Sequence, residues 1–158
     1  MNLLLWRHAE ANEPEPGQSD LDRTLTPRGI KQARRVAHWL HQHGPQPQNL
    51  RILVSPATRC QQTAQALALP HDIDKRLAPD ATVSDLLTSA QWHKNKAREA
   101  NILLVGHQPT LGHLAAWLLS GGEADWAIKK GALWWFSTDR REEIPHAFLR
   151  TVIDPGFL

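Results

Sequence analysis

Three short, mainly apolar runs punctuate the chain, and each ends on residues able to do chemistry. "LLLW" (3–6) leads into Arg7-His8, "RILV" (51–54) into "SPATR", and "NILLV" (101–105) into "GHQPT". Continuous runs of this length, bounded by polar residues, suit strands buried on both faces and predict a parallel sheet. Between them the spacing changes to the helical period. Ile30, Ala33, Ala37 and Leu40 fall on one face of a helix predicted from Pro27 to about His43, stopped by Gly44-Pro45. Ser55 and Pro56 read as an N-cap and a first helical residue, opening a helix through about Leu69. Val83, Leu86, Leu87 and Ala90 mark a third helix. Leu111, Leu114, Ala115 and Leu118 mark a fourth, opened by Pro109 and stopped by Gly121-Gly122.

The last third reads differently. "GALWWFS" (131–137) and "HAFLRTVI" (146–153) predict strands joined by the polar turn "TDRREEIP" (138–145), and one of the two suits an antiparallel place. The order β-α-β-α-α-β-α-β-β predicts an α/β fold: a three-layer α/β/α sandwich, its mostly parallel central sheet covered by helices on both faces. "NEPEPGQSDLDR" (12–23) is a long polar loop, of a kind that is often functional in a compact domain.

Length and composition narrow this picture. At 158 residues the expectation is a single domain, 1–158, with one sizeable core. No apolar run approaches the ~20 residues needed to cross a bilayer, so no membrane partner is expected. "MNLLLWRHAE" lacks the basic leader, long apolar core and cleavage site of a secretory signal, which makes the cytoplasm the expected location. One cysteine, Cys60, excludes an internal disulfide and argues against structural zinc. The net charge of +2 is small, and Lys and Arg are dispersed apart from pairs such as Lys129-Lys130 and Arg140-Arg141; nucleic acid is not the expected partner.

Ligands of open α/β sheets bind beyond the carboxyl ends of the strands. Those ends carry Arg7, His8, Ser55, Arg59 and His107. Two arginines, two histidines and two helix starts converging on one spot make an anion pocket, and guanidinium forks match the oxygens of a phosphoryl group. There is no Gly-rich Walker loop, no H-E-x-x-H and no carboxylate cluster for magnesium, so no cofactor or metal is implied. Chemistry then needs a nucleophile from the protein, and histidine can serve. Three other groups of residues have plainer readings. His38, His41 and His43 form a solvated face, because no carboxylate or cysteine joins them. Cys60 packs as a small core residue. Trp39, Trp117, Trp134 and Trp135 read as core anchors, whereas Trp92 and Trp126 are candidates for a substrate edge.

The motifs together resemble those of a known family. "LWRHAEAN" resembles the Arg-His-Gly signature of the histidine phosphatase superfamily, with its phosphoglycerate mutase-like fold. "SPATRCQQTA" (55–64) resembles its Ser-Pro-x-x-Arg-x-x-x-Thr-Ala signature, and "LLVGHQPTL" (103–111) the strand ending in Gly-His. Small size and "LTPRGIKQA" (25–33) look most similar to short bacterial phosphohistidine phosphatases of the Six type. One departure is Ala9, where the family has glycine.

The resemblance implies that His8 attacks phosphorus in line while a backbone carbonyl holds its other nitrogen. Arg7, Arg59 and His107 would bind the phosphate oxygens, His107 becoming cationic when the dianion is present. Asp20 and Asp80 are candidates for a general acid. A phosphohistidine substrate relaxes that need, because its leaving imidazole can already carry a proton. The expected activity is metal-independent hydrolysis of phosphohistidine on a protein, such as a phosphotransfer domain of a signalling relay, through a phosphohistidine enzyme intermediate. Alternatives are a phosphatase of a small phosphomonoester and a non-catalytic phosphate-binding adaptor. An open site on a monomer is expected.

Overall fold

Alternation within the apolar runs decides the architecture. Leu3 and Leu5 point to one side of their strand, Leu4 and Trp6 to the other, and all four are fully buried. A strand buried on both faces needs a layer of helices above and below it. The computed structural model, which describes residues 1–92, 100–138 and 147–158, supplies both layers. Strand β1 (Asn2–Arg7) is followed by helix α1 (Pro27–His43), then β2 (Leu50–Val54) and α2 (Thr58–Gln65). A two-residue strand β3 (Asp72–Ile73), α3 (Val83–Ser89), β4 (Asn101–Gly106) and α4 (Thr110–Ser120) come next. Strands β5 (Leu133–Thr138) and β6 (Ala147–Ile153) complete the order.

The six strands form one sheet in the order β3-β2-β4-β1-β5-β6. The first four strands are mutually parallel; β5 runs antiparallel to β1, and β6 antiparallel to β5. Ala33, Val36, Ala37 and Leu40 of α1 and Cys60 and Ala64 of α2 pack with Leu4, Trp6, Ile52, Val54, Leu103 and Val105 on one face. Leu86 and Leu87 of α3 and Leu111, Leu114 and Ala115 of α4 pack with Leu3, Leu5, Ile102, Leu104 and Phe136 on the other. Each such large side chain contributes about 1.5–3 kcal/mol by leaving water. The expected three-layer α/β fold is therefore present, with the antiparallel member at β5.

Local differences from the sequence reading have specific causes. Ser55 does not cap α2, which begins at Thr58 behind Ala57; its hydroxyl accepts from Ala57 N at 3.3 Å, in the turn before the helix, and from His107 Nε2 at 2.7 Å. Ile30 is 41% exposed, because the α1 surface at that level is Gly29, packed on the backbone of Glu10. Trp92 is buried in the core with α3 and α4 rather than lining an edge. The turn at 138–145 lies, apart from Thr138, outside the described residues, as do His146 and the pair Arg140-Arg141.

Candidate active site

The parallel arrangement brings the carboxyl ends of β1, β2 and β4 together, and side chains from each converge there. His8 follows β1 directly. Its backbone N–H donates to Gly106 O at 3.1 Å, and its carbonyl accepts from Gly131 N at 3.0 Å, so the chain is fixed on both sides. His8 Nδ1 lies 2.8 Å from its neighbour's carbonyl, Ala9 O. A carbonyl only accepts, so Nδ1 carries the proton and Nε2 the lone pair. Ala9 N donates to Thr63 Oγ1 at 3.1 Å, and Thr63 Oγ1 donates to Arg59 O at 2.7 Å. The turn after β1 is thus tied to α2.

Three arginines surround this imidazole. Arg7 Nη1 donates to Ile128 O at 2.7 Å, while its Nε is buried without a partner. Arg59, in the first turn of α2 and nearly fully buried, donates through Nη1 to Asp20 O at 2.6 Å and through Nη2 to Asp20 Oδ2 at 2.8 Å. Its Nε, too, is buried and unpartnered. Arg23 joins from the polar loop, donating through Nε to Asn12 O at 2.7 Å and through Nη1 to Asp20 Oδ1 at 3.0 Å.

His107, at the end of β4, lies with its ring centroid 5.3 Å from that of His8. Arg59 Nη2 approaches His107 Nδ1 at 3.3 Å and can only donate, so Nδ1 is the acceptor. Nε2 then carries the proton and donates to Ser55 Oγ at 2.7 Å. Cys60 Sγ sits 3.5 Å from the same Nε2, and burial pushes its thiol up to about 12, so it stays protonated.

Burial and neighbouring cations hold both imidazoles neutral. Desolvation, then Arg59, Arg7 and Arg23, draw His8 down to about 4 against the upward pull of the Ala9 bond. Desolvation, then His8 and Arg59, draw His107 down to about 3. The result is a cluster of donors with two unpaired buried N–H groups and one free imidazole lone pair. Such a set suits a tetrahedral oxyanion and in-line attack on it.

The two carboxylates considered as acids part ways. Asp20 is brought to Arg59. Partial burial works upward on it, yet the hydrogen bonds from Arg23 and Arg59 prevail and hold its carboxyl below the usual range. An ionised group bound by two guanidiniums is the wrong setting for a proton donor. Asp80 lies beside Ala81, whose carbonyl accepts from Thr110 at the start of α4. Among the described residues no group of three or more His, Cys, Asp or Glu is placed to hold a metal ion. In the surface histidine group, His41 commits Nε2 to Leu67 O at 2.9 Å.

Comparison with known proteins accords with this geometry. Residues 3–82 match the family model described as histidine phosphatase superfamily (branch 1). The chain belongs to the histidine phosphatase superfamily. It is 32% identical over 127 residues to the phosphohistidine phosphatase SixA of Escherichia coli K12, a match covering 77% of this chain and 76% of that protein. A solved structure of the protein histidine phosphatase SixA with tungstate superposes with a TM-score of 0.83 at 26% identity, covering 99% of both chains. A mycobacterial glucosyl-3-phosphoglycerate phosphatase shares the fold at a TM-score of 0.68 and 20% identity, covering 95% of this chain and 97% of that one.

In this histidine phosphatase Arg7, His8, Arg59 and His107 stand in one cluster. Sequence reasoning missed Thr63 and Ile128 as supports, Arg23 as a third guanidinium, and Asp20 as the partner of Arg59. A signal existed for Thr63, which stands one helical turn beyond Arg59 and on the same face. The carbonyl of Ile128 has no sequence signal at all.

Proposed function

We propose that this phosphatase hydrolyses phosphohistidine displayed on a protein, without a metal, through its own phosphorylated His8. The observation that carries the reading is the His8 tautomer: a neutral imidazole with Nδ1–H committed to Ala9 O and Nε2 free, beside two arginines with unpaired Nε–H groups. His8 Nε2 attacks phosphorus, the P–N bond to the substrate imidazole breaks, and that imidazole departs with its own proton. Water then attacks phospho-His8, releasing inorganic phosphate and restoring the neutral ring. Arg7, Arg59 and His107 bind the non-bridging oxygens in both steps; when the dianion arrives His107 takes up a proton at Nδ1 and gives up the hydrogen bond it accepts there from Arg59 Nη2.

Two features favour a P–N over a P–O substrate. The carboxylate nearest the arginines, Asp20, is ionised and occupied, whereas an alkoxide leaving group needs a proton donor. The described part of the segment between α2 and β4 packs through Leu77, Val83, Leu86 and Leu87 onto the core face shared with α4, which suits a site that a histidine presented on a protein domain, such as one in a phosphorelay, can reach. The relationship to SixA points the same way.

Rapid quench with a phosphohistidine protein labelled in phosphorus tests the proposal. Acid-labile, base-stable label should appear on the enzyme and vanish in His8→Ala. A marked preference for a small phosphomonoester at equal concentration would overturn the substrate class, and turnover without label would overturn the intermediate.

A further inference from the structure

The Arg59 guanidinium gives both terminal nitrogens to Asp20, through the backbone carbonyl and the carboxylate, and Nη2 also reaches His107 Nδ1 at 3.3 Å. Its inner nitrogen, Nε, is buried and bonded to nothing. Arg7 repeats the pattern, with one terminal nitrogen held by Ile128 O and Nε unpaired. In both cases a protein oxygen fixes the outer end of the fork and leaves the inner N–H for a ligand. A carboxylate lying in the phosphate's own seat would satisfy such a buried donor, and Asp20 does not. Asp20 Oδ1 is meanwhile bound by Arg23 Nη1, and Arg23 Nε is bound by Asn12 O. A chain of contacts, Asn12–Arg23–Asp20–Arg59, therefore links the polar loop to the phosphate-binding arginine.

We propose that Asp20 is a positioning residue, and that with Arg23 it holds Arg59 so that Nε–H faces the phosphoryl group. The proposal rests on the reading of Arg59 as a phosphate ligand given above. Under it, the polar loop sets the aim of a guanidinium carried by another element. The Asp20 side chain is 53% exposed and that of Arg59 only 4%. Solvent screens the Coulomb attraction of such a half-exposed pair, so direction rather than raw attraction is what Asp20 supplies.

The direction of the effect separates this role from the plain electrostatic one. Removing a carboxylate from the edge of an anion site should tighten anion binding by charge alone. Removing a positioning group should loosen it. Orthovanadate affinity by calorimetry, and kcat and KM with free phosphohistidine, are to be measured for wild type, Asp20→Asn, Arg59→Ala and the double variant. We expect Asp20→Asn to weaken vanadate and lower kcat/KM about tenfold, as loss of one charge-assisted contact at an exposed edge does. In the Arg59→Ala background the same change should have no effect. Arg23→Gln should give a smaller loss in the same direction, non-additive with Asp20→Asn. Tighter vanadate binding by Asp20→Asn, no change, a loss that persists without Arg59, or strict additivity with Arg23→Gln would each overturn the assignment. A wild-type protein that neither binds vanadate nor labels at His8 would defeat the functional reading instead.

Discussion

His107 is the residue whose charge reports ligand binding most directly. Burial, with His8 and Arg59, holds its ring near 3 when the pocket has no anion, so it is neutral at ordinary pH. A bound dianion reverses the balance, and binding then takes up a proton. Sulfate is a clean probe because its own charge is constant over the range. We expect its affinity to fall as pH rises from about 5 to 7, and calorimetry in buffers of different ionisation enthalpy to count about one proton taken up. His107→Gln should abolish that uptake. At the neighbouring nucleophile, a value near 4 puts the acid limb of kcat/KM well below the ordinary imidazole range. Ala9, the departure from the family motif, fits without strain. The described non-glycine residues with positive φ are Ala68 and Gln91, so position 9 does not draw on the freedom glycine would offer. What a sequence shows at this scale is residue type and local order. Arg7, His8, Arg59 and His107 were legible because each ends a strand or opens a helix. Asp20 was visible only as a candidate acid, because its bond to Arg59 spans 39 positions and inverts its chemistry.

The elements show how a site can depend on a glycine outside it. Gly112, in the first turn of α4, lies against Trp126 O and the Gln108 side chain, and a β-carbon there would collide with both. The Gln108 amide donates to that same Trp126 carbonyl, and two residues later Ile128 O anchors Arg7. Gly112→Ala should therefore push away the stretch that steadies Arg7. A stability loss of about 1–3 kcal/mol is expected from overpacking, read from urea midpoints, together with weaker sulfate binding. A variant with wild-type midpoint and affinity would show that the stretch adjusts freely. Element boundaries divide similarly into readable and unreadable. Strands β1, β2 and β4 were evident because burial on both faces demands unbroken apolar runs. Strand β3 was not, since Asp72 and Ile73 are exposed and pair through backbone alone. The start of α2 lies three residues beyond Ser55, whose hydroxyl closes a turn on Ala57 N ahead of the helix and also takes the tertiary hydrogen bond from His107, which sequence alone does not show.

For the whole molecule, neutral buried histidines set the response to acid. Both His8 and His107 have folded values below the ordinary imidazole value of 6.5, so the unfolded chain binds more protons between those limits. The stability they confer is complete above about pH 6.5 and is lost as pH falls toward 4 for His8 and 3 for His107. Each contributes a slope of up to about 1.4 kcal/mol per pH unit in its window. Chemical denaturation between pH 7 and 4 should show this decline, and His107→Gln should make it shallower. A flat profile would mean that the rings are not held neutral.

Central placement of β1 has one more outcome, in the order of assembly. Asn2 meets Asn101 on one side, 99 positions away, and Ser137 on the other, 135 positions away. At about 5–20 residues per second of synthesis, the strand that carries the nucleophile waits some 5–20 s for its first neighbour and longer for its second. Throughout that interval an apolar "LLLW" ribbon stands with bare edges, the state most prone to sticking to other chains. The middle of the finished sheet is thus the part of the nascent chain most in need of shelter.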